Sequence, residues 1–262
     1  MSETPQILTG VTVGAPAHGG HAVARHEGRV IFVRHAAPGE VVDVTLTEAA
    51  PDARFWRGDA TAVHEPSPDR VRHVWPEAGP GGVGGGELGH LTLEAQRAWK
   101  AGVISDTLRR IGKLDVGEVS VAPVPGETDG LGSRTRIELV VDGAGRLAMH
   151  PHRSHDLIAL KSMPLAVPEI AEYVRRSREV GSRLHPGARV DLVHSQSGLL
   201  VLVDGEARGS TRKHVREQVV VTGPDGSVRR YTYRVAGAGF WQVHHGAARV
   251  LAERVLALAE IV

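Results

Sequence analysis

The stretch His18–Val42, "HGGHAVARHEGRVIFVRHAAPGEVV", decides how the amino-terminal part of the chain is read. "HAVARHE" and "RVIFVRH" are short runs rich in Val, Ile and Phe, divided by "EG". "APGE" separates the second from "EVVDVTLTEA". Runs of this kind, bounded by turn residues, predict strands joined by tight turns. Working outward, "ILTGVTVG" precedes the stretch and "FWRGDATAVHE" follows it, so residues 6–65 hold five predicted strands. Within the fourth, Val41, Val42, Val44 and Leu46 alternate imperfectly with Asp43, Thr45 and Thr47. Five short strands suggest a small closed or partly closed barrel, because closure removes exposed strand edges.

The 262 residues suffice for two compact domains or one large one, and 41% hydrophobic with 23% charged residues is a globular composition. Aromatic residues are only 4%, so the core rests on Val, Leu, Ile and Ala. With 31 basic against 30 acidic side chains the net charge is +1, and only local clusters could attract an acidic partner. There is no cysteine, which excludes disulfides, zinc–thiolate sites, cysteine-ligated iron–sulfur clusters and a cysteine nucleophile among these residues. "MSETPQILTG" lacks the features of a signal peptide, and no apolar run is long enough to span a bilayer. The expectation is a cytoplasmic, monomeric protein without a membrane partner.

Residues 67–91 are rich in Pro and Gly and read as an ordered connector. "TLEAQRAWKAGVISDTLRRIG" predicts a helix over 92–112, with Thr92 as cap, Gln96 supporting the first turns and a rough stripe of Leu93, Trp99 or Ala98, Val103, Leu108 and Ile111. Beyond it, "GAG", "QSG" and "PDG" each lie between strand-like runs and predict three hairpins, with the amphipathic helix "VPEIAEYVRRSREVGSRL" among them. This predicts an α+β domain with an antiparallel sheet. The last segment, "HHGAARVLAERVLALAEIV", is helical, and its apolar face needs a partner.

In "GPGGVGGGELGH", Gly79, Gly81 and Gly84 spell G-x-G-x-x-G, yet no strand precedes them and the helix begins about eight residues late. The stretch therefore reads as a tight connector. Among the 15 histidines, "HGGH" and "HPHRSH" are the densest groups, and without cysteine or H-E-x-x-H they read as surface or RNA-contacting imidazoles. Basic residues cluster after residue 100, in "RRIGK", "SRTR", "RRSR" and "RGSTRKHVR", and suit contacts to a phosphate backbone.

Taken in order, these motifs carry a resemblance. "HGGHAVARHEGRVIFVRHAAPGEVV" with "FWRGDATAVHEPSPDRV" resembles a TRAM domain. "ELGHLTLEAQRAWKAGVISDTLRRIG", "SRTRIELVVDGAGRLAMHPHRSHDLIALKSMPLAVPEI" and "GAGFWQVHHGAARVLAERV" resemble the following parts of the bacterial RNA (uracil-C5) methyltransferases. The resemblance implies an OB-like TRAM barrel at 1–66, a degenerate cluster loop at 67–91, a central α+β RNA-binding domain at 92–236, and at 237–262 a helix leading toward a Rossmann-like methyltransferase domain expected to be missing from this chain. It implies S-adenosylmethionine-dependent methylation of uridine C5 in tRNA or rRNA by the full-length protein, through a cysteine nucleophile and a carboxylate base. On that reading these residues are the RNA-binding portion and inactive alone, with no catalytic residue. A stand-alone RNA-binding module and a related methyltransferase acting on something other than RNA are the alternatives.

The resemblance also assigns positions. Gln242 matches a glutamine at the methionine part of the cofactor. Arg25, Arg134, Arg136, Arg212, Lys213 and Phe240 are candidate RNA contacts, with Phe240 placed to stack on a flipped base. The family's four cluster cysteines correspond to Trp75, Val83, Gly86 and Met163, none of which donates a thiolate. The expectation is therefore no iron–sulfur cluster and no metal, with Trp75, Val83 and Met163 filling the volume.

Overall fold

The computed structural model describes residues 6–151 and 154–259. The chain forms two compact units, Met1–Pro123 and Val124–Val262.

In the first unit β1 (Ile7–Pro16), β2 (His21–His26), β3 (Arg29–Arg34), β4 (Val41–Glu48) and β5 (Phe55–Glu65) close into a barrel of order β1-β2-β3-β5-β4. The five predicted strands are all present. The sequence did not disclose that β3 and β5 pair in parallel, Val30 opposite Phe55 through Arg34 opposite Asp59, because strand polarity leaves no local composition signal. Val42, Val44 and Leu46 of β4 face inward beside Val11, Val13, Ile31 and Val33. Gly58 sits where the walls come closest: a Cβ there would lie 2.5 Å from Val44 Cγ1 and 2.6 Å from the Thr45 carbonyl oxygen.

Helix α1 (Leu93–Arg110) begins where expected, with the Ala95 amide donating to Thr92 Oγ1 at 3.3 Å. Gln96 steadies the entry by donating to the Leu91 carbonyl at 3.0 Å. Only Trp99 of its predicted stripe is fully buried, packing into the barrel core with Ala95 and Val103 beside it, while Ile111 is 80% exposed. The stripe is therefore narrower than read from the sequence.

The second unit holds β6 (Arg136–Val141), β7 (Leu147–Met149), β8 (Ile158–Ala159), β9 (Arg189–Ser195), β10 (Gly198–Val203) and β11 (Glu206–Ala207) in one antiparallel sheet of order β11-β10-β9-β6-β7-β8. Its core includes Leu139, Leu192, Leu200 and Ile170. The predicted amphipathic helix is two pieces, α2 (Pro168–Arg175) and α3 (Ser177–Gly181), because Arg176 leaves helical geometry at φ −87°, ψ 19°. The antiparallel pairing is as expected, and the strands divide between this sheet and a separate ribbon. β12 (His214–Thr222) and β13 (Val228–Ala236) pair only with each other, as a two-stranded ribbon. The physical reason lies in β13, which has no inward-facing apolar row: Val228 to Arg234 are all exposed. Helix α4 (Ala247–Leu258) packs against β12, yet Leu251, Val255 and Leu258 stay exposed.

Candidate nucleic-acid interface

The β12–β13 ribbon turns its composition into a charged groove. Residues directly opposite in an antiparallel pair share a face. Val215, Glu217, Val219 and Val221 of β12 are buried, so the opposite face carries Arg216, Gln218 and Val220, facing Arg234, Thr232 and Arg230 of β13. That face opens into a groove of about 1030 Å³ whose lining includes Arg212, Lys213, His214, Arg216, Tyr233 and Arg234. Arg216 stands directly across from Arg234, and like charges so placed repel. No described acidic side chain pairs with Arg216, Arg230 or Arg234, and Arg234 reaches only His214 Nδ1, at 3.3 Å. A phosphate would resolve that repulsion. Tyr231 and Tyr233 are 41% and 44% exposed, and Tyr233 lies 5.4 Å from Trp241, ring centre to ring centre. Tyr231 and Tyr233 stand opposite Val219 and Glu217, on the face of the ribbon away from Arg216, Arg230 and Arg234, and their exposed rings offer stacking faces there.

Arg212 and Lys213 of the expected set come together in this groove. Arg212 is braced by the carbonyls of Ser197 at 2.6 Å and Leu199 at 3.4 Å, and Lys213 pairs with Glu206 at 3.2 Å. Arg25 is exposed on β2 of the barrel, and Arg134 is half-buried just before β6. Phe240 is 84% exposed and Gln242 is exposed two residues on. Arg136 is corrected. It is 9% exposed, pairs with Glu217 at 3.0 Å and donates to the carbonyls of Gly237 and Gly239, so it knits β6 to the ribbon instead of facing RNA. Burial pushes the Glu217 carboxyl up, against the opposing pull of Arg136. Arg216, Arg230, Arg234, Tyr231 and Tyr233 were missed. Their signal was present in "SVRRYTYRV", a strand in which Arg and Tyr leave no apolar row to bury.

The loop at 67–91 is anchored to the barrel by the Arg70–Glu40 ion pair and by a hydrogen bond from the Gly81 amide to the Arg34–Asp59 pair. Glu40, fully buried, takes Arg70 through both oxygens at 2.5 and 2.6 Å, together with the amides of Ala37 and Ser67. Burial alone would raise the Glu40 carboxyl, yet Arg70 and those amides hold it below the usual range. Asp59 takes Arg34 in a bidentate pair at 2.8 and 2.9 Å and accepts the Gly81 amide at 2.8 Å. These bonds use the glycine-rich segment as a strut and leave no helix terminus behind it for a pyrophosphate. Gly82 is forced by close approach, since a Cβ there would lie 2.2 Å from the Glu77 carbonyl oxygen. At the positions corresponding to cluster ligands, Trp75 is fully buried, Val83 is 3% exposed, and a Cβ on Gly86 would touch the Trp75 ring at 3.5 Å. Met163 is 3% exposed in the second unit. No thiolate is present, so these residues do not fit a cluster. In "HPHRSH", His150 is held by the Asp156 carbonyl at 2.9 Å, and His152 lies outside the described residues. Among the described residues no helix is long and apolar enough to cross a membrane.

Several known proteins are similar to this chain. The TRAM domain model matches residues 9–61. An uncharacterized RNA methyltransferase of Bifidobacterium longum is 38% identical, the alignment covering 98% of this chain and 62% of the relative. The 23S rRNA (uracil(1939)-C(5))-methyltransferase RlmD of Halomonas elongata is 33% identical over 77% of this chain and 41% of its own. The crystal structure of Pyrococcus abyssi tRNA (uracil-54, C5)-methyltransferase in complex with S-adenosyl-L-homocysteine matches with a TM-score of 0.60 at 18% identity, over 96% of this chain and 65% of that one. The chain thus spans about three fifths of the length of the first of these relatives.

These matches correct the expectation that a methyltransferase domain is missing and that the chain is an RNA-binding portion alone. Residue for residue, the likeness to a methyltransferase runs nearly from end to end of the chain. Neither the point where a sequence stops nor its lack of cysteine says which domains a protein has. The chain thus matches a TRAM domain at residues 9–61 and is similar along almost all of its length to RNA methyltransferases.

Proposed function

We propose that the protein methylates uridine at C5 in tRNA or rRNA with S-adenosylmethionine as methyl donor, and that it grips the RNA backbone along the β12–β13 groove. The observation that carries the RNA reading is the unneutralised row of Arg216, Arg230 and Arg234 beside Arg212 and Lys213. Phosphate contacts position an RNA strand, while exposed rings such as Tyr231, Tyr233 and Phe240 receive unstacked bases. Arg25, exposed on β2, is a separate candidate RNA contact of the first unit.

S-adenosylmethionine supplies the methyl group when bound. Gln242 is the residue offered to it here, exposed beside Trp241. The thiolate attack on uracil C6 that the family resemblance implies has no donor among these 262 residues, which contain no cysteine.

The test incubates the purified protein with transfer or ribosomal RNA and isotopically labelled S-adenosylmethionine, followed by nucleoside mass spectrometry and a gel-shift on the same RNA. The proposal expects RNA binding that weakens steeply with salt, with label recovered as 5-methyluridine only when the assayed protein also supplies the thiolate that these residues lack. Salt-insensitive or absent RNA binding would direct attention to a substrate other than RNA. Binding without label even with that thiolate supplied would leave an RNA-binding module in place of the enzyme.

A further inference from the structure

Three histidines far apart in sequence meet in the first unit. His35 directly follows β3, while His73 and His90 lie in the loop at 67–91. Each offers one ring nitrogen, and the three nitrogens lie within 4.8 Å of one another. Ring centres are 6.1 Å apart for His35–His73, 6.1 Å for His35–His90 and 6.4 Å for His73–His90. From this juxtaposition we infer that His35, His73 and His90 form a binding site for a zinc-type transition-metal ion that fastens the loop to the barrel.

Two further observations point to a ligand. His35 is 4% exposed and His90 2%, yet Nδ1 of His35 and both ring nitrogens of His90 make no hydrogen bond of good geometry, the Ala36 backbone being the one group that interacts with His90 in that way. Buried polar atoms are nearly always paired, so imidazole nitrogens this poorly satisfied in one place call for an explanation. Coordination supplies one that a packing role does not. His35 also sits in the left-handed region at φ 61°, an unusual place for a side chain with a Cβ. Arg70 holds it there by donating to the His35 carbonyl at 2.8 Å while gripping Glu40.

The surroundings suit metal ligation. Burial lowers His35 to about 3 and His90 to about 4 and lowers His73 as well, with Arg34 near His35 and Arg70 near His73 and His90 acting in the same direction. Ligating histidines commonly donate their second nitrogen to a carbonyl. His73 shows that arrangement, with Nε2 donating to the Gly86 carbonyl at 3.0 Å and Nδ1 accepting the Trp75 amide at 3.1 Å. Coordination there exchanges one of these bonds for the metal. A tetrahedral ion with bonds of about 2.0–2.1 Å needs ligands roughly 3.3 Å apart, so the rings close by no more than about 1.5 Å. Three imidazoles without carboxylate or thiolate select zinc, cobalt, nickel or copper over magnesium and calcium, and a fourth position stays open to water. The other such grouping among the described residues, Glu127 with His244 and His245, is already closed: both Nε2 atoms contact one carboxylate oxygen, at 3.2 and 3.1 Å.

The test uses untagged full-chain protein stripped by a chelator. Cobalt(II) is titrated in and followed by its visible ligand-field bands, then displaced by zinc(II). The inference expects saturation at one ion per chain, zinc displacing cobalt, and slower proteolysis within residues 67–91 when metal is bound. His73→Ala and His90→Ala should each weaken binding at least 10-fold, while His245→Ala leaves it unchanged. Should an alanine variant fail to fold, imidazole nitrogen NMR of the wild-type protein still decides the matter, because zinc must shift three histidines. No saturable binding, binding that the His73 and His90 variants leave intact, or zinc shifts on other histidines would overturn the inference.

Discussion

Arg136 shows most clearly what a single residue contributes. In sequence it is one of two arginines in "SRTR" and reads as a surface contact. In the fold its guanidinium is buried against Glu217 and two carbonyls. Removing one partner of a buried pair leaves the other charge stranded, which costs about 3–5 kcal/mol. Arg136→Ala should therefore lower the urea midpoint strongly, and any loss of RNA affinity should follow the loss of folded protein. Glu40 gives the pH counterpart. Its carboxyl is held below 4.5, so it contributes stability above the unfolded value and loses it as pH falls through the depressed folded one. Glu40→Gln should be less stable than wild type at pH 7, with the difference narrowing toward pH 3 in urea titrations. Neither burial was legible beforehand, because a charged residue's partner 30 or 81 positions away leaves no mark on its neighbours.

At the scale of elements, strands and turns were legible wherever turn residues bounded β-branched runs: the five barrel strands and the hairpins at "GAG", "QSG" and "PDG" all formed. Their association was not, since the detachment of β12–β13 depends on what β13 fails to bury. The amphipathic helix broke at Arg176, where no Gly or Pro announced it. The glycine loop was rightly read as a connector, yet its role as a strut depends on Asp59 and Glu40 in the barrel. A side chain at Gly82 must displace backbone 2.2 Å away, so Gly82→Ala should destabilise the first unit by about 1–3 kcal/mol. Trp75→Ala, which empties a fully buried site, should cost about 3–5 kcal/mol. Thermal unfolding of the two variants checks both values.

For the molecule as a whole, a net charge of +1 conceals a locally basic groove, which is why bulk composition gave no hint of an acidic partner. The candidate residues read from the family resemblance met the groove at Arg212 and Lys213 and left it at Arg136. The residues that most shape it, Arg216 and Arg234, emerged only when strand pairing set them face to face. Their mutual repulsion is a stability cost that anion binding relieves, so Arg216→Ala with Arg234→Ala should leave unfolding unchanged or slightly raise its midpoint.

The most direct measurement is RNA affinity across a salt series for wild type and for that double variant. Each phosphate contact adds close to one unit to the slope of log K against log salt. The groove reading predicts weaker binding at every salt concentration and a slope shallower by about 2. Equal affinity and equal slope in the folded variant would contradict it.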